Sequence, residues 1–308
     1  TMRLVIVGQQ DFGKAVLEAF LNRGDEVVGV FCAPEKEGGR PDPLRVYAQE
    51  MGLNVKQFPA LTDPAAQEEL TRLQADIGIM AYVTQFAPQE FCNIPKFGMI
   101  QFHPSLLPLH RGASAMSWSI ISGKKETGLA IFRPNDGLDE GPVILLKKVK
   151  IEADDTLGSV YFGKIFPLGV AALVEAAELV VSGKGPAVNQ YEPDAGYEGI
   201  IRAAESQIHW ACHVDITYDL IRGCNPAPGA WTTIEGKKLF VYDARKVYAQ
   251  RFEQVKGKKI GQVVAESEKG LLVHGQGGFI EIQRVKFEDG KKMAAKEAGI
   301  AVGTLLGS

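Results

Sequence analysis

With 308 residues, 45% of them hydrophobic and 23% charged, the chain can bury more than one core and does not have the composition of a disordered or fibrous polymer. The formal net charge of -3 gives no global pull toward nucleic acid or membrane, although residues 200–308 hold a mild basic surplus over an acidic first part. Cys32, Cys92, Cys212 and Cys224 form no CxxC pair and have no histidines at finger spacing, which argues against a disulfide scaffold and against structural zinc.

Along the first 150 residues short apolar runs alternate with helical patterns. RLVIV reads as a buried first strand, too short for the apolar region of a secretory leader. KAVLEAFLNR, closed by Gly24, reads as a helix, EVVGVFC as a strand and PLRVYAQEM, closed by Gly52, as a helix. The order continues with NVKQF, the helix PAAQEELTRLQ capped by Asp63, and the strands DIGIMAYV and GMIQFH. Such alternation predicts an α/β fold: a doubly wound, mainly parallel sheet with helices on both faces. ASAMSWSIISG then reads as a helix ending at Gly123, and a further helix is expected from about Thr156 to Val181. FPLGVAALVEAAELVV within it is long and apolar but carries Glu175 and Glu178 at helical spacing, so an amphipathic helix is expected and no membrane span. Residues 183–200 are rich in Gly, Pro and polar residues and divide the chain into a catalytic domain, 1–182, and a smaller domain, 201–308. The latter has one helical piece, VDITYDLIRG, followed by KKLFVYDA, IGQVV, GLLVHG and GFIEIQRV, a spacing of short strands that predicts a small β-barrel. A cytoplasmic, reducing setting is the expectation from cysteine usage.

GQQDFG after the first strand invites a dinucleotide reading, because a glycine turn feeding a helix can hold a phosphate on backbone amides. The middle glycine is replaced by Gln10, and the second strand ends on Cys32 to Pro34 with Glu35 only nearby. Gly8 and Gly13 are therefore expected simply to permit a tight strand-to-helix turn, with no NAD bound.

The chemistry-bearing residues cluster around His103 and Asp139. Pro104 disfavours helical backbone at His103, so GMIQFH should be a strand that stops at the histidine. Asp139 lies in the glycine-bounded turn DGLDEG between the apolar runs LAIF and VILLKKV. If those runs are neighbouring strands, imidazole and carboxylate share the crevice at the sheet's edge and can exchange protons near neutrality. Gln101, two residues before the histidine on the same strand, points to the same face.

HPSLLPLHRGASA followed by DGLDEG resembles the catalytic core of the 10-formyltetrahydrofolate-using formyltransferases, and most of all the hydrolase domain of 10-formyltetrahydrofolate dehydrogenases. Weaker likenesses lie in GQQDFG, in TQFAP at 84–88 and in FEDGKKM, while RGCNPAPGAW at 222–231 resembles methionyl-tRNA formyltransferases. The resemblance implies a formyltransferase-like domain followed by an OB-like barrel, with 10-formyltetrahydrofolate as formyl donor, no metal and no NAD. It implies that His103 is the acid that also stabilises the oxyanion, that Asp139 is its partner and collects a proton, and that Gln85, Phe86 and Ala87 line the folate pocket together with Asp139. Most transferases of this kind have Asn where this chain has Gln101, and the hydrolase domain has an apolar residue, so Gln101 departs from both patterns.

The acceptor implied by the nearest resemblance is water or a carrier-domain thiol, giving tetrahydrofolate. Initiator tRNA is the alternative, with a small amine such as an amino sugar as a third option, and a folate- or RNA-binding module without turnover as a reading of another class. Against tRNA stands the loop PEKEGGRPDP, where Lys36 and Arg40 are outnumbered by Glu35, Glu37 and Asp42.

Overall fold

The computed structural model describes residues 1–308 as two compact units. The first comprises residues 1–112, 128–149 and 164–197, and the second residues 113–127, 150–163 and 198–308. In chain order the elements are β1 (Arg3–Gly8), α1 (Gln10–Asn22), β2 (Glu26–Phe31), α2 (Pro43–Glu50), β3 (Val55–Lys56), α3 (Pro64–Leu73), β4 (Ile77–Ala81), α4 (Gln89–Cys92) and β5 (Met99–His103). They continue with α5 (Ala115–Ile121), β6 (Glu126–Phe132), β7 (Val143–Lys150), α6 (Leu157–Val160), α7 (Phe166–Val181), α8 (Ala203–Ser206) and α9 (Val214–Gly223). The remaining strands are β8 (Ala230–Ile234), β9 (Lys237–Val241), β10 (Ala244–Tyr248), β11 (Val263–Glu266), β12 (Leu271–Gly275), β13 (Gly278–Ile282), β14 (Arg284–Phe287) and β15 (Met293–Ala294).

One seven-stranded sheet, in the order β3-β2-β1-β4-β5-β6-β7, organises the first unit. β1 pairs in parallel with β2 and β4, β2 with β3, and β4 with β5, whereas β6 runs antiparallel to β5. The continuous apolar runs of β1 and β4 are buried almost throughout, as central strands covered on both faces must be. The edge strand β7 instead alternates, its exposed face carrying Lys148 and Lys150, while the half-buried Lys147 on the other face pairs with Glu175. Helix α1 buries Phe12, Val16, Leu17 and Phe20 on one face. Asp42 and Asp63 cap α2 and α3 through backbone amides, each followed by proline at the first helical position, where the missing N–H has no consequence. Helix α7 comes close to β5 at Gly169, where a Cβ would lie 2.6 Å from the Phe102 ring.

The helix expected from Thr156 to Val181 is interrupted. Thr156 caps α6 in a reciprocal bond with Ser159, a π turn spans Tyr161–Ile165, and α7 begins at Phe166. Pro167 cannot donate to a continuous ladder, and a wide turn before it absorbs the break.

In the second unit the strands are antiparallel and form two four-stranded sheets, β15-β14-β9-β8 and β10-β13-β12-β11. β13 and β14 are separated by Gln283 alone, so one stretch of chain serves both sheets. Trp210, Tyr218, Ile221, Leu239, Val241, Leu271 and Ile280 belong to its buried core, and Trp210 Nε1 donates to Thr232 Oγ1 so that its buried polar edge is satisfied. No helix of the chain is long and apolar enough to cross a membrane.

Candidate active site

β1, β4 and β5 end at the same edge of the sheet, where parallel α/β sheets place their ligands. His103 is the last residue of β5 and is buried, with 5% of its surface exposed. Asp139, in the turn between β6 and β7, reaches the same point: its Oδ2 lies 3.5 Å from His103 Nδ1 and accepts a hydrogen bond from the Gly112 amide at 3.0 Å. The two residues singled out in the sequence therefore converge.

The proton positions follow from the partners. His103 Nε2 is 2.9 Å from the carbonyl oxygen of His110, which can only accept, so Nε2 carries a hydrogen and Nδ1 is the nitrogen that faces Asp139. Burial pushes the imidazolium of His103 below its ordinary range, while the Asp139 carboxylate and the His110 carbonyl pull the other way. At neutral pH the ring is thus uncharged, and a proton arriving at Nδ1 meets the Asp139 carboxylate. His110 and Asp139 both adopt left-handed backbone, at φ 52 and 55, which side chains other than glycine adopt at some cost. The loops hold these two residues where the ring needs a carbonyl and a carboxylate.

Gln101 is half-buried on β5, in register with Met80 of β4 and Phe132 of β6, on the His103 side of the strand. Gln85 spends its amide hydrogens on the carbonyls of Phe58 and Pro59, so it fastens the chain after β3. Phe86 is 59% exposed, an aromatic face free for a flat ring, whereas Ala87 packs against the buried cluster that contains Met80 and Phe91. A groove of about 670 Å³ beside Pro64, Gln67, Arg72, Glu90 and Ile94 contains none of the candidate residues. No group of three His, Cys, Asp or Glu side chains is gathered to hold a metal ion.

The glycine motif has a different explanation from the one expected. Neither Gly8 nor Gly13 has positive φ; it is Gln10, at φ 64, that turns left-handed. Gly8 is required because β1 and β4 approach so closely that a Cβ would overlap the Ala81 carbonyl. The Gln10 amide donates to the Asp42 carboxylate at 2.9 Å, so an internal anion occupies the N-terminus of α1, where a nucleotide phosphate would sit. Glu35 is engaged by Arg45 at 2.7 Å and by Gln57, and the Arg45 guanidinium holds its carboxyl below the usual range.

Arg111, which lies within the block HPSLLPLHRGASA, is entirely buried. It bonds Gln190 at 2.8 Å, Glu192 at 2.7 Å and the Tyr197 hydroxyl at 3.2 Å. Gln190, Glu192 and Tyr197 carried no sequence signal beyond polarity.

Residues 2–176 match the family described as Formyl transferase, and residues 200–299 match the family described as Formyl transferase, C-terminal domain. The chain belongs to the formyl transferase family, a family of enzymes. Among its relatives, the human mitochondrial 10-formyltetrahydrofolate dehydrogenase is 35% identical over 306 residues, covering 96% of this chain but 33% of that protein. The chain thus spans about a third of the dehydrogenases it matches. A methionyl-tRNA formyltransferase of Nitrosospira multiformis is 32% identical over 301 residues and is covered to 95% of its length. HypX from Aquifex aeolicus in complex with tetrahydrofolic acid shares the fold, with TM-score 0.69 and 17% identity over 96% of this chain and 46% of HypX. So does the N-formyltransferase from Helicobacter canadensis in complex with folinic acid and dTDP-3-aminofucose, with TM-score 0.69 and 16% identity over 95% of this chain and 100% of that one.

Proposed function

We propose that this enzyme removes the formyl group of 10-formyltetrahydrofolate by acid-base catalysis at His103 and Asp139, with water or a carrier thiol as acceptor. The observation that carries the reading is the convergence of His103 Nδ1 and Asp139 Oδ2 at 3.5 Å, with the tautomer set by the His110 carbonyl.

Neutral His103 takes a proton at Nδ1 from the attacking water as the new C–O bond forms and the formyl π pair moves onto oxygen. Asp139 stabilises the imidazolium so formed. The amide of Gln101, on the same side of β5, donates to the oxyanion; one such donor contributes about 10²–10³ in rate where it is well aimed. Collapse of the tetrahedral adduct breaks the C–N bond, and the proton on Nδ1 passes to the departing folate nitrogen. Water as nucleophile gives formate and tetrahydrofolate. Phe86 offers its exposed ring to the pterin, and Gln85 and Ala87 shape the chain around it.

Transfer to methionyl-tRNA is the second reading, favoured by near full-length similarity to such a transferase. Against it, the loop after β2 keeps Glu35 tied to Arg45 and carries more acid than base, which weakens phosphate contacts. The deciding experiment supplies enzyme and formyl donor with no acceptor, with a carrier thiol, with charged initiator tRNA and with an amino sugar, and compares tetrahydrofolate release. Full-rate release without added acceptor supports hydrolysis; release only with tRNA replaces the proposal by the second reading. His103→Ala should abolish release in every arm while folate binding persists, and an unchanged rate would defeat the mechanism. We further propose a cytoplasmic setting.

A further inference from the structure

Residues 188–197, assigned on composition to a linker, are built into the first unit and lie across the two loops that carry the candidate site. Val188 pairs with Val143 at the start of β7, and Gly196 exchanges backbone hydrogen bonds with Pro108 and Arg111. Between these anchors Gln190 uses both ends of its carboxamide. Its Nε2 donates to the carbonyls of Asp139 and Gly141, each at 2.8 Å, and its Oε1 accepts from Arg111 Nε at 3.1 Å and Nη2 at 2.8 Å.

These bonds close a ring. Gln190 grips the main chain of Asp139; the Asp139 carboxylate receives the amide of Gly112; Gly112 follows Arg111; and Arg111 returns to Gln190. Asp139 lies on a turn in left-handed backbone, and nothing in its sequence neighbourhood alone would keep its carboxylate beside His103. We infer that Gln190 is a positioning residue: through this ring it sets the reach of the Asp139 carboxylate toward His103 Nδ1. The inference rests on the acid-base reading of His103 and Asp139. The residue type is specific, because glutamate keeps the acceptor for Arg111 but turns a carboxylate toward two carbonyls, and leucine supplies neither donor nor acceptor.

The test is turnover of 10-formyltetrahydrofolate by the full chain in Gln190→Leu and Gln190→Glu, together with amide exchange at Gly112. Both variants should lower kcat about tenfold or more with KM held within about twofold, since displacing a catalytic group by ~1 Å can cost ~10² in rate. Exchange at Gly112 should quicken. Gln190→Glu, near-isosteric and still bonded to Arg111, carries the test should Gln190→Leu fail to fold. Parent kcat in Gln190→Glu, with His103→Ala inactive, overturns the positioning role and leaves the acid-base reading standing. Parent rates in His103→Ala would overturn both. A fall in kcat matched by an equal rise in KM would also overturn the positioning role, because it would reveal general loss of binding.

Discussion

Asp139→Asn isolates the carboxylate's charge at nearly constant shape. The Gly112 amide needs an acceptor, so the new side chain keeps its oxygen there; that same oxygen faces His103 Nδ1, and the NH₂ takes the place of the other carboxylate oxygen. The oxygen left beside Nδ1 belongs to a neutral amide, so the imidazolium loses its counter-charge. At 3.5 Å and an effective dielectric of about 20, that attraction is about 5 kcal/mol, an upper bound on the loss. At 1.36 kcal/mol per tenfold, the rate should fall by about three orders of magnitude. The sign for titration is also fixed: with the attracting carboxylate gone and burial unchanged, the His103 pKa must move further down. The assay is tetrahydrofolate release under saturating donor, with NMR titration of the His103 imidazole beside it. A variant that turns over within tenfold of the parent, or whose His103 titrates higher than before, would refute the coupling argued here.

Acid stability should respond to the same histidine. Its folded pKa lies below the unfolded value of about 6.5, so in the window beneath that pH the unfolded chain binds the proton that the folded chain refuses, and stability falls as pH falls. His103→Gln should flatten the change in Tm between pH 7.5 and 5.5, and an unaltered slope would assign that loss to other groups. Gly169→Val places methyl groups against Phe102, the residue before His103, and should cost about 1–3 kcal/mol by urea unfolding; an undiminished midpoint would show that α7 can move away freely. Gln10→Gly relieves left-handed backbone and should raise stability by roughly 1 kcal/mol while keeping the amide bond to Asp42. A lowered midpoint would mean that the Gln10 side chain contributes more than the strain costs.

The parts of this molecule that could be read from sequence are those where side chains repeat. Buried runs such as RLVIV and IGIMA and the helix cap Asp63 follow local rules that the fold keeps. His103 and Asp139 stood out because a strand end and a strand-strand turn each carried a titratable group, and adjacency of β5, β6 and β7 brings two such ends together. What escaped depends on contacts with no local pattern. The π turn before Pro167 looks like uninterrupted helix in an apolar, helically spaced run. The glycine at position 8 answers to a carbonyl on β4, far away in sequence, and not to the turn that follows it.

The same distinction explains why the site's controlling groups were hidden. The His110 carbonyl, which decides the tautomer of His103, is a main-chain atom that any residue at that position would provide; no choice of letter announces it. The Gly112 amide that holds Asp139 is equally anonymous. Gln190 is a side chain, but its partners are two carbonyls and a guanidinium contributed by loops that precede it by dozens of residues, so its polar, proline-containing neighbourhood reads as connector. In the proposed mechanism a histidine and an aspartate separately legible in sequence become one acid-base pair only through main-chain groups and a strap. The rate of the reaction should therefore depend on residues that never touch the folate.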